Sequence, residues 1–199
     1  MTKIKLCGLT RFYDIEYINA LLPEYIGFVF TSKSKRYISP EKAEQLSRIL
    51  DSRITPVGVF VDENIDVISD LVKREIIDVV QLHGNENDEY TAALAKEVDC
   101  PIIKAFRIES SADILMANNS SADYVLLDSG GGTGKAFDHS LIQGVTRPYF
   151  LAGGLTPENV GAAIKQLAPY AVDASSSLET DGLKDMMKMT AFVKAVRKD

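Results

Sequence analysis

The chain has 199 residues, of which 25% are charged and 46% hydrophobic, and its formal net charge is −6. These values are typical of one globular domain, so we expect a single domain over residues 1–199. The acidic charge argues against a nucleic-acid or anionic-membrane surface, and no apolar run is long enough to span a bilayer. We therefore expect a cytoplasmic protein with neither a nucleic acid nor a membrane as its partner.

Eight short runs rich in β-branched and apolar residues recur along the chain and predict strands. Stretches with apolar residues at helical spacing lie between them. The predicted strands are residues 3–9, 25–31, 55–61, 78–83, 101–107, 122–128, 149–152 and 171–175. The predicted helices include residues 40–50, 64–74, 86–98, 156–167 and 183–196.

The alternation of strands and helices indicates an α/β fold with a parallel sheet. Continuous apolar strands, such as residues 57–61 and 124–127, are typical of strands covered by helices. Near-equal spacing and eight units favour a single (β/α)8 TIM barrel. A doubly wound open sheet is the structural alternative.

The active site of such a barrel lies at the carboxyl ends of the strands, so the residues just past each apolar run are candidates. Polar or ionisable side chains follow the first six predicted strands. In chain order they are Cys7, Arg36, Asp62, His83, Arg107 and Asp128.

The last two units carry a pattern typical of a phosphate site. Gly153 and Gly154 follow the seventh strand, and we predict Thr156 as the N-cap of the next helix. Ser175 and Ser176 follow the eighth strand. Loops seven and eight of these barrels often bind phosphate through backbone amides, so we expect these glycines and serines to do so.

Residues 129–135 form a third glycine cluster, after the sixth strand. It is not a P-loop, because the glycine spacing before Lys135 is wrong and no serine or threonine follows that lysine. We predict a lid that closes over the ligand, with Gly134 contributing to phosphate binding. A flexible connection without a function is the alternative.

Cys7 and Asp128 both end strands and are therefore expected to face one pocket, as a base and acid pair. A lysine beside a thiol lowers its pKa, and strand alternation places Lys5 on the same face as Cys7. The alternatives are an inert buried thiol at Cys7 and a helix cap or lysine partner at Asp128.

Metal and disulfide chemistry have little support in the sequence. His83 and His139 are the only histidines, and no carboxylate cluster at ligand spacing accompanies either, so we expect no metal. We expect His83 to form part of the pocket wall. Cys7 and Cys100 lie far apart in the sequence and are expected to be reduced thiols.

The strand ends together resemble the phosphoribosylanthranilate isomerase family of tryptophan biosynthesis, and the likeness covers the whole chain. The segments that carry it are residues 3–10, 27–30, 34–40, 57–61, 80–84, 127–134, 151–155 and 172–176. The resemblance implies a cofactor-independent Amadori rearrangement of N-(5-phosphoribosyl)anthranilate to 1-(2-carboxyphenylamino)-1-deoxyribulose 5-phosphate.

Matching the motifs residue by residue implies a role for each candidate. Asp128 is expected to be the general acid and Cys7, as a thiolate, the general base. Arg36 is expected to hold the anthranilate carboxylate. The phosphate grip is expected to contain Gly134, Gly153, Gly154, Ser175 and Ser176.

Two positions depart from the family pattern. Ser177 stands where glycine is common, which affects the backbone of the last phosphate loop, and Leu6 replaces the usual isoleucine without expected consequence. A related ribosyl-imidazole substrate is left open by the sequence. A monomer is preferred over a homodimer.

Three rival functions fit a phosphate-binding barrel. A ribulose-phosphate epimerase needs paired aspartates and metal-binding histidines, which the chain does not supply. An indole-glycerol-phosphate synthase needs a catalytic lysine, for which Lys104 is the only candidate. The third rival is a barrel that binds a phosphorylated metabolite without catalysis.

Overall fold

The computed structural model describes residues 1–128, 142 and 144–198. Eight parallel strands form a closed barrel in chain order, which confirms the predicted TIM barrel and excludes the open sheet. All eight predicted strands are present. They are β1 (Lys3–Cys7), β2 (Tyr25–Val29), β3 (Thr55–Phe60), β4 (Val79–Leu82), β5 (Ile102–Arg107), β6 (Tyr124–Asp128), β7 (Tyr149–Ala152) and β8 (Ala171–Ala174).

Helices follow most strands and cover the outside of the barrel. They are α1 (Phe12–Leu21), α2 (Pro40–Ser47), α3 (Ile65–Lys73), α4 (Asp88–Leu94), α5 (Ser111–Asn119), α6 (Val160–Leu167) and α7 (Met186–Arg197). The side chains of Ser39, Asn64, Asn87 and Asp185 cap four of them by accepting hydrogen bonds from first-turn amides. Among the described residues, none of these helices has the length and apolarity needed to cross a membrane.

Two predicted helix starts are wrong. Helix α6 begins at Val160 with Asn159 at the N-cap, and Thr156 instead opens the preceding turn, where its hydroxyl accepts a hydrogen bond from the amide of Glu158. Helix α7 begins at Met186 rather than at residue 183. Residues 183–184 form β10 (Leu183–Lys184), which pairs antiparallel with β9 (Glu179–Thr180).

The hydrophobic core has two layers, separated by the wall of the barrel. The larger layer lies between the strands and the helices and includes Leu6, Phe28, Phe60, Leu82 and Phe192. The smaller layer fills the inside of the barrel and consists of Val57, Val79, Ile103, Leu126, Phe150, Ala152 and Ala171. The alternation of side chains along each strand produces this division.

An aromatic cluster closes the amino-terminal end of the barrel. The ring of Phe150 lies edge-on to the rings of Tyr25, Tyr124 and Tyr170 at centroid distances of 5.4, 5.9 and 5.6 Å. Lys3 Nζ donates a hydrogen bond of 2.6 Å to the hydroxyl of Tyr170. The barrel is therefore packed at this end, and any ligand must enter from the carboxyl ends of the strands.

Replacing Phe150 by alanine tests the importance of the inner layer. Phe150 is 1% exposed, so Phe150→Ala should lower the free energy of unfolding by about 3–5 kcal/mol. Phe12→Ala is a matched control, because Phe12 is 46% exposed and should lose less than about 1 kcal/mol. Urea denaturation followed by circular dichroism measures both changes, and equal losses would contradict this description of the core.

Candidate active site

A cavity of about 630 Å³ opens at the carboxyl ends of the strands. Its lining contains most of the predicted site residues that the structure describes. They are Cys7, Arg36, His83, Asp128, Gly153, Gly154, Ser175 and Ser176. Cys7 and Asp128 therefore share one cavity, which is the geometric requirement of a paired acid and base.

Two strand-end candidates, Asp62 and Arg107, are not part of this lining. Asp62 turns towards the loop after β4, where its Oδ1 accepts a hydrogen bond from the amide of Asn85 at 2.7 Å. Arg107 pairs with Glu109 at 2.8 Å on the surface. The predicted lid with Gly134, and His139, lie outside the described residues.

Cys7 lies at the end of β1 and is almost fully buried. Burial raises the pKa of its thiol above the ordinary value, and this effect outweighs the ammonium groups of Lys5 and Lys184, which lower it. Lys5 acts in the predicted direction, but the net effect on the thiol is the opposite of the one expected. With no charged groups in the site other than these neighbours, the thiol of Cys7 is harder to ionise than an ordinary thiol.

Lys5 is held inside the barrel by an ion pair with Asp173. The register of β1 and β8 sets these residues side by side, and Lys5 Nζ donates to Asp173 Oδ2 at 2.9 Å. Although burial disfavours its charge, the carboxylate of Asp173 and the sulfur of Cys7 raise the pKa of Lys5. Lys5 is therefore a cation beside the base.

Asp128 ends β6 and faces His83. His83 Nε2 lies 3.5 Å from Asp128 Oδ2, and Gln81 Nε2 lies 2.8 Å from His83 Nδ1. With the Gln81 amide in this orientation its nitrogen donates to Nδ1, which puts the imidazole proton on Nε2, towards Asp128. His83 thus lies beside the carboxyl group of Asp128 as well as lining the cavity.

Arg36 lies in the loop after β2 and is engaged by Glu179. Its Nε and Nη2 donate to the two carboxylate oxygens of Glu179 at 2.6 and 2.8 Å. This pair raises the pKa of the Arg36 guanidinium. Glu179 also accepts a hydrogen bond of 2.6 Å from Lys184 Nζ. The Nη1 edge of Arg36 makes no hydrogen bond within the described part of the chain, so it is available to a carboxylate.

The glycine and serine loops have the backbone geometry that an anion site needs. Gly153 and Gly154 have φ angles of 93° and 64°, which favour glycine. A side chain at Gly154 would meet no atom within 4 Å, so its backbone is open to the cavity. Ser175 differs from the prediction in one respect, because its hydroxyl donates to the carbonyl of Cys7 at 3.0 Å and ties β8 to β1.

Lys104 does not reach the cavity. Its Nζ donates to Glu86 Oε2 at 2.6 Å and to the carbonyl of Gly84 at 2.8 Å, which fixes the loop after β4. Lys104 is therefore structural, which removes the candidate lysine of a synthase. Within the described residues, no three His, Cys, Asp or Glu side chains are grouped to hold a metal ion. Cys7 and Cys100 are both free thiols.

Comparison with known proteins identifies the family. The family model described as N-(5'-phosphoribosyl)anthranilate (PRA) isomerase matches residues 4–195. The chain belongs to this family. An N-(5'-phosphoribosyl)anthranilate isomerase from Endomicrobium trichonymphae is 42% identical over 202 residues, which cover 99% of each chain. The predicted resemblance is confirmed, and the chain is a PRA isomerase family enzyme of tryptophan biosynthesis.

Two solved structures of the family are similar over 100% of each chain. Phosphoribosyl anthranilate isomerase from Thermotoga maritima has a TM-score of 0.90 and 37% identity. A second structure, in complex with reduced 1-(o-carboxyphenylamino)-1-deoxyribulose 5-phosphate, has a TM-score of 0.87 and 35% identity. Membership of the PRA isomerase family thus identifies a phosphorylated small molecule as the ligand.

Four charged or polar side chains near the site were missed by the sequence analysis. Asp173 and Gln81 point into the barrel from strand interiors, and the strand-end rule does not cover them. Glu179 and Lys184 come from the β9–β10 hairpin, for which two-residue strands leave no pattern in the sequence. Asp173 and Gln81 had a signal, because alternation along β8 and β4 places them on the faces of Ser175 and His83.

Gly27 on β2 leaves the space that the sulfur of Cys7 occupies. A Cβ added at Gly27 would lie 2.5 Å from Cys7 Sγ, so Gly27→Ala must displace the sulfur. We expect kcat to fall by about 100-fold, as a misplacement of about 1 Å can cause. Gly144→Ala is the control, because among the described residues its Cβ would meet only Ile114, at 3.4 Å. A steady-state isomerase assay compares them, and full activity of Gly27→Ala would refute a reactive role for the sulfur in this position.

Proposed function

We propose that Cys7 and Asp128 catalyse the Amadori rearrangement of N-(5'-phosphoribosyl)anthranilate as general base and general acid, without a cofactor. The observation that carries this proposal is the shared cavity, into which both groups open at the carboxyl end of the barrel. The product is 1-(2-carboxyphenylamino)-1-deoxyribulose 5-phosphate. The reduced form of this compound is the ligand of a solved relative.

The first step needs an acid beside the ring oxygen of the ribose. Asp128 donates a proton to this oxygen, the bond between the oxygen and C1 breaks, and the nitrogen lone pair forms an iminium. His83 Nε2 lies 3.5 Å from Asp128 Oδ2, and its proton then stabilises the carboxylate that forms. His83 thereby supports the acid in both of its protonation states.

The second step needs a base on the other side of the sugar. Strands β7 and β8 separate β6 from β1 on the shorter path around the barrel, so Asp128 and Cys7 approach a ligand from different sides. The thiolate of Cys7 removes the proton from C2, which the iminium makes acidic, and an enolamine forms. Loss of the hydroxyl proton and protonation of C1 then give the ketone.

The cavity lining offers a partner for each of the two anionic groups of the substrate. The Nη1 edge of Arg36, which Glu179 leaves unengaged, suits the planar anthranilate carboxylate, while Glu179 keeps the guanidinium in place. The backbone at Gly153 and Gly154 and the loop at Ser175 and Ser176 suit the phosphate. Gly134 remains a prediction for the same grip.

The remaining expectations are part of the same proposal. The cytoplasmic location and the monomeric state stay predictions. Sedimentation of the purified protein tests the oligomeric state. Ser177 lines the cavity beside Ser176, so the loop that departs from the family pattern belongs to the site. A separate assay with a ribosyl-imidazole substrate tests whether the enzyme also converts that compound.

Removing either reactive group tests the mechanism. Cys7→Ser and Asp128→Asn should each lower kcat by about 100- to 10,000-fold, because proton transfer by a placed side chain contributes this much. The affinity for a product analogue should be largely kept, since neither group binds the phosphate. Decay of substrate fluorescence measures the rate on freshly made phosphoribosylanthranilate, and calorimetry measures the affinity.

The same assay separates the rivals. A binding protein would show no fluorescence decay in the unmodified chain at any enzyme concentration, and a metal-dependent enzyme would lose its rate with a chelator. We expect decay that a chelator leaves unchanged.

The pH dependence follows from the burial of Cys7. Because burial raises the pKa of this thiol, the thiolate fraction increases with pH through the range above an ordinary thiol's value of about 8.5. We expect kcat/KM to fall about tenfold for each pH unit below that raised pKa, on the limb that reports the base. A pH–rate profile of the enzyme checks this, and a base limb below neutral pH would contradict a thiolate base in this environment.

A further inference from the structure

The proposed base lies in a cluster of ionised side chains that come from four parts of the fold. The cations are Lys5 on β1, Arg36 in the loop after β2 and Lys184 on β10, and the carboxylates are Asp173 on β8 and Glu179 on β9. Three positive and two negative formal charges leave one positive charge in excess. A thiolate at Cys7 would bring the cluster to neutrality.

The excess charge lies on the side of the cluster that contains Glu179. Lys5 has a carboxylate of its own in Asp173, at 2.9 Å. Arg36 and Lys184 share the single carboxylate of Glu179, at 2.6 Å from each. One negative charge cannot compensate two positive ones, so this pair of cations keeps a net charge of +1 next to the cavity.

Lys184 is the better placed of these two cations to act on the sulfur. Its side chain is 1% exposed, whereas that of Arg36 is 30% exposed and more strongly screened by solvent. Lys184 Nζ donates to the carbonyl of Ser175 at 3.0 Å, and the Ser175 hydroxyl donates to the carbonyl of Cys7 at 3.0 Å. The hairpin therefore holds a buried ammonium against the residue that ties β8 to Cys7.

We propose that Lys184 is a positioning residue for the general base, and that the buried ammonium of Lys184 stabilises the thiolate of Cys7. This inference rests on the proposed function of Cys7. Lys184 Nζ also lies 3.4 Å from the Ser175 hydroxyl that bonds the carbonyl of Cys7. In such a weakly screened interior a nearby opposite charge shifts a pKa by about 1–3 units. Burial raises the pKa of Cys7, while Lys5 and then Lys184 lower it, so the effect of Lys184 agrees in sign with this role. Burial also lowers the pKa of Lys184 itself, and the carboxylate of Glu179 opposes that change.

The inference can be tested without turnover, by measuring how iodoacetamide alkylation of Cys7 depends on pH in a Cys100→Ser background. Lys184→Met keeps the stem of the side chain and removes the charge. We expect the pKa of Cys7 to rise by about one unit, with about tenfold slower alkylation at neutral pH. The base limb of the pH–rate profile should move to higher pH by the same amount.

Two further variants control for structural effects. Lys184→Arg keeps the positive charge and should leave the pKa of Cys7 close to its original value. Lys188→Met removes an exposed ammonium that also contacts the hairpin, through the carbonyl of Glu179, and should change nothing. Glu179 keeps Arg36 as a partner in Lys184→Met, so no buried carboxylate is left unpaired.

An unchanged pKa of Cys7 in Lys184→Met, or an equal shift in Lys188→Met or Lys184→Arg, overturns the inference. Should Lys184→Met not fold, Lys184→Gln keeps a donor towards Ser175, removes the charge and carries the same comparison. Failure of the proposed function would look different, because the unmodified enzyme would then show no turnover while the alkylation data still reported the pKa of Cys7.

Discussion

The pairing of β1 with β8 closes the barrel, and the site depends on it. Closure brings Cys7 next to residues that follow it by most of the chain, including Ser175 and Lys184. The Lys5–Asp173 pair marks this seam at 2.9 Å. A buried ion pair contributes little net stability, because desolvation offsets the attraction. Its main effect is on register, since a shift by one residue would turn the ammonium of Lys5 from the inside of the barrel into the apolar layer beneath the helices.

The architecture follows from the sequence because each strand is a short apolar run and helices such as α3 and α6 have apolar residues at helical spacing. Helices α1 and α5 lack a clear period and were not among the predicted helices. All eight strands were predicted, and the strand-end rule led to Cys7, His83 and Asp128. The same rule failed at Asp62 and Arg107. The rule gives the position at which a strand ends but not the direction of the side chain that follows. Asp62 adopts a φ of 50°, and its side chain points to the neighbouring loop.

The electrostatic environment of the base could not be predicted from the sequence. Lys184 lies next to Asp185, the cap of α7, so the sequence around it is hard to distinguish from the start of the helix. Its place in a hairpin depends on pairing with Glu179. The pKa of Cys7 depends on burial as well as on nearby charge. Lys5 alone suggested a lowered value, but the closed barrel removes the sulfur from water and reverses the balance.

The contact between Gly27 and Cys7 also limits how this protein can change over evolution. The sulfur fills the space that a side chain at position 27 would occupy, so the two positions on neighbouring strands cannot vary independently. A lineage that keeps its proton acceptor at position 7 must keep a bare backbone at position 27. The order of substitutions is therefore fixed, because the reactive side chain has to be given up or shortened before any other residue is accommodated opposite it.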